Sequence, residues 1–493
     1  MKFGGYCMAF PRTKQNKKTI IFSMQKLRFT IRLLKIPIIT FFWIFIVTGC
    51  GSSGDKARPD GIRPSAIHPE YWSYNGKEIL LLGGSVEDNL FQIPNLAEQL
   101  DLLVKVGGNY VRNTMSSRDE GNVWPFKMVS DSLYDLNEWN EEYWQRFENF
   151  LKETHKREII VQMEVWATFD FYRENWLVNP FNPKNNKNYD ARRTKLTLEV
   201  DSHPIYTENN FFRSVPSQLS IMKLLEHQQK YVDKILSYTL SYDHVLYCMD
   251  NETSVSSDWG KFWAQYIRKV GLENGKFLHT TEMWDPWDLD HIAHRETTDN
   301  PDIFSFVDIS QNNHNSGEEH WANGIKRINH LKQIDAVRPC NNVKVYGNDG
   351  GRHQTTQNSI ESFVRNIMFG AAGTRFHRPT SGQGLNEVAQ KVIQGMRTIT
   401  DNMDFFNGTP LDHVIVDKSP NEAYCRGIEG KEYLFYFTNG GNIEANISLP
   451  GGEGIIIWQS LDTGNRVEKS RIKEADKITF SPPGQGNWLA LIQ

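Results

Sequence analysis

The chain has 493 residues, with 55 Lys and Arg against 59 Asp and Glu and a formal net charge of −4. This length exceeds one ordinary domain and suits a barrel of about 300 residues with one smaller module. The charge balance excludes the strongly basic surface that nucleic acid or an anionic bilayer surface would require, so we expect a neutral or mildly charged substrate and no nucleic-acid partner.

Residues 1–50 carry the pattern of an export signal. A basic stretch that starts at Lys26 precedes an apolar run at 36–47, and the tetrapeptide Val-Thr-Gly-Cys closes at Cys50. The run is shorter than the roughly 20 residues of a membrane-spanning helix. The pattern resembles a bacterial lipoprotein signal, in which Cys50 carries the lipid; an uncleaved membrane anchor is the alternative.

Both interpretations export the rest of the chain. A flexible tether rich in Gly and Ser follows Cys50 and is assigned to 51–67. Met24 stands directly before the basic stretch, so residues 1–23 are open to interpretation as a mis-assigned start. We therefore expect a protein of the cell envelope, in the periplasm or at the outer-membrane surface, that meets the membrane through a lipid on Cys50.

Residues 68–405 alternate short β-rich runs with amphipathic helical patterns, which is typical of a parallel sheet. Apolar residues recur at helical spacing in 137–156 and in 259–267. Eight strands are predicted, at 79–83, 109–112, 159–165, 245–249, 277–281, 304–309, 343–346 and 374–377. Eight such units close as a (β/α)8 barrel, an α/β fold whose catalytic groups lie at the carboxyl ends of the strands.

Two further segments complete the predicted organisation. Residues 167–216 show no sustained period and follow the third strand, at the catalytic end of the barrel, so we expect a loop that covers the substrate. From 407 to 493 the pattern changes to alternating strands separated by Gly and Pro turns, which predicts a small antiparallel β-sandwich.

The fourth predicted strand ends at Asn251-Glu252, the first candidate for catalysis. A glutamic acid at a rigid strand end can protonate a leaving alkoxide and then deprotonate water. An Asn-Glu pair at this strand resembles the clan A retaining glycoside hydrolases. The resemblance implies that Glu252 is the general acid/base and that Asn251 binds a sugar hydroxyl.

The same resemblance implies a role for Arg112, at the end of strand two, in orienting a nucleophilic carboxylate. The clan places a Glu at the end of strand seven, but here the chain reads Tyr-Gly-Asn-Asp and offers only Asp349. Because Asp is one methylene shorter than Glu, Asp349 could be a nucleophile, a base for water, or neither. Glu282, at the end of strand five, is the main rival.

The remaining strand ends supply candidates for substrate binding. We expect no cofactor. We also expect no catalytic metal, because strand one ends without the His-x-His that barrel metallohydrolases use. The five cysteines lack metal-site or disulfide spacing. The binding candidates are Glu164, Trp166, Glu282, Trp284, Gln311, His314 and His377, beside Asn251 and Arg112.

A broader resemblance rests on the opening His68-Pro-Glu-Tyr-Trp72 and on the tail motifs Asp462-Thr-Gly and Gly486-Asn-Trp. Together they resemble apiosidase-like glycoside hydrolases that end in a β-sandwich with a collagen-binding label. The resemblance implies a hydrolase of plant or host polysaccharides, and we expect a monomer. A sandwich fold does not determine a ligand, so the label is not carried over. The alternatives are a non-catalytic glycan-binding lipoprotein and an adhesin acting through the tail module.

Overall fold

A computed structural model describes residues 61–203, 209–350, 353–475 and 477–493. The predicted signal, Cys50 and most of the tether lie outside the described residues. No helix in the described part is both long and apolar enough to cross a membrane.

A small antiparallel sheet precedes the barrel and closes its lower end. It consists of β1 (Arg63–Pro64), β2 (Trp72–Tyr74) and β3 (Lys77–Ile79). Trp72 is fully buried, and its indole Nε1 donates to Asn341 Oδ1 at 3.0 Å inside the barrel. Part of the segment assigned to the tether is therefore structured from Arg63 onwards.

The first half of the barrel alternates strands and helices, with a hairpin inserted after the second barrel strand. Its elements are β4 (Leu81–Gly84), α1 (Leu96–Lys105), β5 (Tyr110–Thr114), β6 (Phe126–Ser130), β7 (Leu133–Trp139), α2 (Glu141–Lys156), β8 (Ile160–Trp166), α3 (Arg173–Val178), α4 (Ala191–Thr194), α5 (Met222–Thr239), β9 (Val245–Asp250) and α6 (Ser257–Glu273).

The second half has shorter strands but the same alternation. Its elements are β10 (Thr280–Thr281), α7 (Ile292–Thr298), β11 (Val307–Asp308), α8 (Gly317–Gln333), β12 (Cys340–Val345), α9 (Thr356–Phe369), β13 (Gly373–Phe376) and α10 (Glu387–Thr400).

The eight strands β4, β5, β8, β9, β10, β11, β12 and β13 form one parallel sheet, in the order β10-β9-β8-β5-β4-β13-β12-β11. The two end strands approach each other, since Ser305 N donates to Thr280 O at 2.9 Å, so the sheet is a nearly closed barrel. Every predicted strand overlaps an observed one. The predicted (β/α)8 fold is confirmed.

Helix α2 shows why the amphipathic pattern folds as it does. Asn140 caps its first turn by accepting from Glu142 N, and Tyr143, Trp144 and Phe147 bury the apolar face against the barrel. The observed helix begins four residues later than the predicted one at 137–156, because residues 137–139 belong to β7.

The lower barrel interior is a polar layer rather than an aliphatic one. Asn341 Nδ2 donates to Tyr110 Oη at 2.9 Å, and Gln162 Nε2 donates to Asp308 Oδ2 at 2.9 Å. These groups are fully or almost fully buried and satisfy one another. The layer therefore forms a fixed floor beneath the upper mouth.

The C-terminal segment is a two-sheet antiparallel sandwich, as predicted. A six-stranded sheet of order β14-β16-β17-β22-β19-β20 faces a three-stranded sheet of order β15-β18-β21. The strands are β14 (Thr409–Pro410), β15 (Ile415–Asp417), β16 (Ala423–Ile428), β17 (Glu432–Phe437), β18 (Ile443–Ala445), β19 (Glu453–Ser460), β20 (Arg466–Lys473), β21 (Ile478–Phe480) and β22 (Trp488–Ile492).

The sandwich and the barrel belong to one compact unit. The fully buried Arg426 on β16 donates to Tyr71 Oη at 2.5 Å and to Gly408 O at 2.6 Å. On α9, Gln357 Nε2 donates to Thr438 O at 2.7 Å and to Asn487 Oδ1 at 3.0 Å. These buried polar contacts tie the tail module to the outer helices of the barrel.

Candidate active site

A cavity of about 600 Å³ opens at the carboxyl ends of the barrel strands. Its walls come from the loops after the strands and from the insertion after β8, as expected for the functional face of this fold. The lining residues used below are Asp88, Phe169, Tyr172, His203, Glu252, Asp285, Trp287, His314, Lys344, Tyr346 and His377.

Glu252 lies two residues beyond β9 and projects into this cavity. Three donors converge on its Oε1 atom: Lys344 Nζ at 2.8 Å, Tyr346 Oη at 3.0 Å and Gln311 Nε2 at 3.1 Å. Since all three bind the same oxygen, Oε2 is the atom available to a substrate. The residue also has a left-handed backbone with φ of 53°, a strain typical of functional positions.

The surroundings of Glu252 keep its carboxylate ionised. Burial opposes ionisation, but the adjacent Lys344 ammonium, the more distant Arg112 and the Tyr346 hydroxyl together lower the pKa of Glu252 well below its usual range. Lys344 is 1% exposed, and burial lowers its pKa despite the opposing charge of Glu252. The pair is a buried charge-assisted hydrogen bond at the centre of the mouth.

Arg112 lies directly below this pair and joins the predicted residues Glu164 and Asn251 to Asp88. Its Nη2 donates to Glu164 Oε2 at 2.6 Å and to Asn251 Oδ1 at 2.8 Å, and its Nη1 is 2.6 Å from Asp88 Oδ1. Asn251 and Glu164 are fully buried. The sequence prediction thus brought together residues that meet in space, but Arg112 orients Asn251 and Asp88 and does not contact Asp349.

Asp88 is an anionic anchor that sequence reasoning missed. It lines the cavity and is 1% exposed. Burial opposes its ionisation, but Arg112 and His377 hold the pKa of Asp88 well below its usual range. Asp88 lies four residues beyond β4 in an irregular loop, so a search of the residues at strand ends does not find it.

Asp285 is the third carboxyl group in the cavity with a shifted pKa, after Glu252 and Asp88, and the sequence prediction missed it as well. Its backbone N–H donates to Thr253 O at 2.9 Å, which places it beside the Glu252 loop. Burial, and then the negative charge of Glu252, raise the pKa of Asp285 to about 6. The strand-end rule could have found it, since it lies one residue beyond the predicted binding residue Trp284.

Aromatic rings line the rim of the cavity. Trp287 is 61% exposed and stacks on His314, with ring centroids 4.2 Å apart and planes at 10°. His314 in turn meets Tyr346 edge-on at 5.3 Å, and Tyr346 meets His377 at 4.9 Å. Burial lowers the pKa of His314 to about 4 and that of His377 to about 3. Both imidazoles are therefore neutral near pH 7 and act as hydrogen-bonding or stacking groups.

Asp349 does not lie in the cavity. Its side chain is exposed, and Oδ1 accepts a hydrogen bond from Thr356 N at 2.8 Å at the start of α9. The register explains this, because β12 ends at Val345 and the chain turns outwards at Gly347, which has φ of 127°. The structure assigns Asp349 to the helix N-terminus, where a carboxylate is stabilised by free backbone N–H groups.

Trp166 and Trp284 face away from the cavity. Trp166 packs among buried aromatic rings, including Phe211 at 5.3 Å and Trp263 at 5.3 Å between centroids. Trp284 is 3% exposed and donates from Nε1 to Thr297 Oγ1 at 2.9 Å. Both therefore belong to the packing between strands and outer helices, not to the predicted substrate site.

Glu282 also lies behind the barrel wall. Its Oε1 accepts from Asp250 N at 2.9 Å and from Met283 N at 3.0 Å, and a Cβ placed on Gly260 of α6 would lie 2.1 Å from its Oε2. Burial and the neighbouring Asp250 raise the pKa of Glu282 well above its usual range, and burial raises that of Asp250 to about 8. Neither group is a substrate ligand or a catalytic partner of Glu252.

This buried pair predicts loss of stability at alkaline pH. Because the folded pKa values exceed the unfolded ones, the stabilisation is complete below the unfolded pKa near 4 and is lost as pH rises through the folded pKa, about 8 for Asp250. Glu282→Gln keeps the Oε1 acceptor and removes one titrating group. We expect it to raise the free energy of unfolding at pH 8 by roughly 1–2 kcal/mol and to leave it unchanged at pH 4.5.

Urea unfolding of both proteins at the two pH values measures this difference. The control is Glu296→Gln, which removes a partly exposed ion pair with Lys261 and is expected to change stability by less than about 0.5 kcal/mol at either pH. Equal effects of Glu282→Gln at pH 4.5 and 8 would contradict the assignment.

Among the comparisons with known proteins, only the one with solved structures finds matches, and it supports the fold. No family model matches the sequence, and no curated relative matches it. A solved glycoside hydrolase family 5 protein from Bacteroides vulgatus superposes with a TM-score of 0.59 at 10% identity, covering 88% of this chain and 94% of that chain. Another solved structure, described as a glycoside hydrolase, gives a TM-score of 0.59 at 9% identity over 88% and 97% of the two chains. At such identities the likeness shows the fold alone.

Proposed function

We propose that the protein is a glycoside hydrolase in which Glu252 and Asp285 form the catalytic carboxyl pair. The observation that carries this proposal is their opposite electrostatics within one cavity: the pKa of Glu252 is lowered, and that of Asp285 is raised to about 6. Two carboxyl groups whose pKa values are pushed apart are suited to act as base and acid. Structural neighbours that are named glycoside hydrolases support the same class.

In the proposed reaction Asp285 is the general acid. Its carboxyl group donates a proton to the glycosidic oxygen as the bond from that oxygen to the anomeric carbon breaks, so the leaving sugar departs as a neutral alcohol. Glu252 Oε2 bonds to the anomeric carbon, while Oε1 stays bound to Lys344, Tyr346 and Gln311. Water then attacks the anomeric carbon of this ester, and Asp285 takes a proton from the water. The bond from the anomeric carbon to Glu252 Oε2 breaks, which releases the carboxylate of Glu252.

This assignment differs from the one that the sequence resemblance implies for Glu252. A general acid has to hold its proton near the working pH, and the neighbouring ammonium of Lys344 favours the ionised form instead. Asn251 accepts from Arg112, which fixes its amide below the cavity. The Arg112 network with Glu164 and Asp88 holds the floor on which the reacting groups rest.

The substrate proposed is an oligo- or polysaccharide of plant or host origin. The lining mixes aromatic rings with hydrogen-bonding side chains of both charges, which suits sugar rings and their hydroxyls. We further propose that the mature protein is a monomer, held in the cell envelope by a lipid on Cys50. The alternative, a non-catalytic glycan-binding lipoprotein, shares these surfaces and differs only in turnover.

A hydrolysis screen tests the proposal. Purified residues 51–493 are incubated with plant and host polysaccharides and with activated aryl glycosides, and NMR identifies the first-formed anomer. We expect hydrolysis of at least one substrate with retention of configuration, because Glu252 attacks the anomeric carbon directly. Inversion of the anomeric configuration would contradict direct attack by Glu252 and would indicate that the enzyme activates a water molecule instead. Binding of a polysaccharide without any product would favour the non-catalytic alternative.

Trp287 provides a separate prediction about substrate binding. Its exposed indole is available to a sugar ring on the face not covered by His314. Trp287→Ala is expected to raise KM about five- to tenfold with little change in kcat, since stacking holds ground state and transition state alike. Phe277→Ala, which removes an aromatic ring that is 48% exposed at the opposite end of the barrel, serves as the control and should leave KM unchanged. A fall in kcat without a change in KM would contradict a binding role.

A further inference from the structure

A second cluster of ligand-type side chains lies at the lower end of the barrel, away from the cavity. It consists of His155 near the end of α2 and the consecutive Asp243 and His244 that precede β9. Each offers one ligand atom, and these three atoms all lie within 4.8 Å of one another. None of the three lines the proposed active site.

The hydrogen bonds of His244 leave one ring nitrogen for a ligand. Its Nε2 is 2.9 Å from Thr154 Oγ1, and that hydroxyl already donates to Phe150 O at 2.8 Å. Nε2 therefore carries the proton and donates to Thr154, so the lone pair lies on Nδ1. His244 is fully buried, and its Nδ1 has no hydrogen-bond partner among the described residues. An imidazole whose N–H is held by a neighbouring acceptor is the usual arrangement of a metal-binding histidine.

Asp243 likewise has one carboxylate oxygen without a hydrogen-bond partner among the described residues. Its Oδ1 is a buried atom without a hydrogen bond in the described part of the chain, 3.9 Å from His155 Nδ1. The backbone on either side is fixed, since Asp243 O accepts from Ile62 N at 2.8 Å and His244 O accepts from Val161 N at 3.0 Å. The backbone that carries two of the three ligands is thus fixed, while the ring of His155, 48% exposed, can turn towards them.

We propose that His155, Asp243 and His244 bind a divalent transition metal ion, with Zn²⁺ as the best fit. Two imidazoles and one carboxylate are ligands that Zn²⁺ accepts, and a water molecule completes four-fold coordination from the exposed side. Tetrahedral ligands around Zn²⁺ lie roughly 3.3 Å apart, so the His155 and Asp243 side chains move inwards by about 1 Å.

The neighbouring charges set the strength of the site. Lys276 is the cation that opposes the metal, and its Nζ donates to Tyr242 O at 2.9 Å. Asp243 supplies the negative charge that offsets it. The ion would fasten the end of α2 to the segment entering β9, at the barrel end where this fold concentrates stability rather than catalysis.

Zinc titration of the full-length, untagged chain tests the site. Isothermal titration calorimetry is expected to show one Zn²⁺ per chain, and the thermal midpoint should rise with Zn²⁺ and fall back on addition of a chelator. His155→Ala and Asp243→Asn should each weaken binding about tenfold or more. His155 is half exposed, so its replacement leaves the fold intact.

The matched control is His413→Ala. His413 also faces a carboxylate, Glu429 at 3.6 Å, but both are more than 60% exposed, and no third ligand among the described residues is grouped with them. The His413→Ala variant should bind Zn²⁺ as tightly as the unmodified chain does. The proposal is overturned if the unmodified chain binds no Zn²⁺ with a Kd below about 0.1 mM. It is equally overturned if His155→Ala binds as tightly as the control.

Discussion

Glu252→Gln is expected to reduce kcat about 10³-fold or more on any substrate that the protein hydrolyses. The amide preserves the shape of the side chain and can still accept from Tyr346 and Gln311, but it supplies neither a nucleophile nor a negative charge. A loss of 10³-fold corresponds to about 4 kcal/mol of transition-state stabilisation. Steady-state kinetics on an aryl glycoside measures it.

The stability of this variant has to be separated from its chemistry. Glu252→Gln leaves Lys344, which is 1% exposed, without its counter-charge, so the thermal midpoint is expected to fall by a few degrees. Adding Lys344→Met removes the buried ammonium as well. The double variant should recover stability and remain inactive, which shows that lost catalysis does not follow from lost folding.

Asp349→Asn is the control for the carboxylate that strand order suggested. Its side chain is exposed and bonds only to Thr356 N among its hydrogen-bond contacts in the described chain, so we expect activity within about twofold of the unmodified protein. If Asp349→Asn abolished hydrolysis while Glu252→Gln retained it, the catalytic assignment would return to strand seven.

The fold could be predicted because its signals are local. Apolar residues at helical spacing predict helices α2 and α6, and an apolar run that follows turn residues predicts β22. Eight such units leave few ways to bury their apolar faces, so the barrel follows from the pattern. The same order placed Glu252 and Arg112 at one end of the barrel, and the structure has Glu252 in the cavity and Arg112 directly beneath it.

The partner of Glu252 could not be predicted, because it depends on which way each side chain points. Glu282 and Asp285 lie three residues apart after the same strand, yet Glu282 turns outwards to α6 and Asp285 turns into the cavity. One residue of register decides between the two faces of a strand. Predicted strand ends uncertain by one or two residues cannot resolve that choice.

Lys344 illustrates a different limit. A lysine near the end of a predicted strand indicates a charge in contact with solvent, but in the structure its ammonium lies 2.8 Å from Glu252 and is almost fully buried. Its effect is electrostatic and becomes visible only when β9 and β12 are placed on opposite sides of the barrel. The strong pKa shift of Glu252 therefore belongs to the tertiary structure and leaves no trace in local pattern.

The second large effect is expected for Asp285→Asn and appears in the pH dependence. The protonated form of Asp285 predominates up to its raised pKa of about 6. Glu252 is ionised at every pH at which activity would be measured, because its pKa is lowered well below its usual range. Activity should therefore be full below pH 6 and fall as pH rises through this value, with one descending limb in kcat/KM. Asp285→Asn removes the acid, so the rate should drop about 10²–10³-fold and the limb should disappear.

Two comparisons make this result specific to Asp285. Substrates with good leaving groups need little proton donation, so the variant should retain more activity on activated aryl glycosides than on natural linkages. Asp288→Asn changes an exposed carboxylate of the same loop, outside the cavity, and should preserve both the rate and the limb. A limb near pH 6 that survives in Asp285→Asn would assign the proton to another group. Its loss, together with the leaving-group dependence, would identify Asp285 as the acid that acts with Glu252.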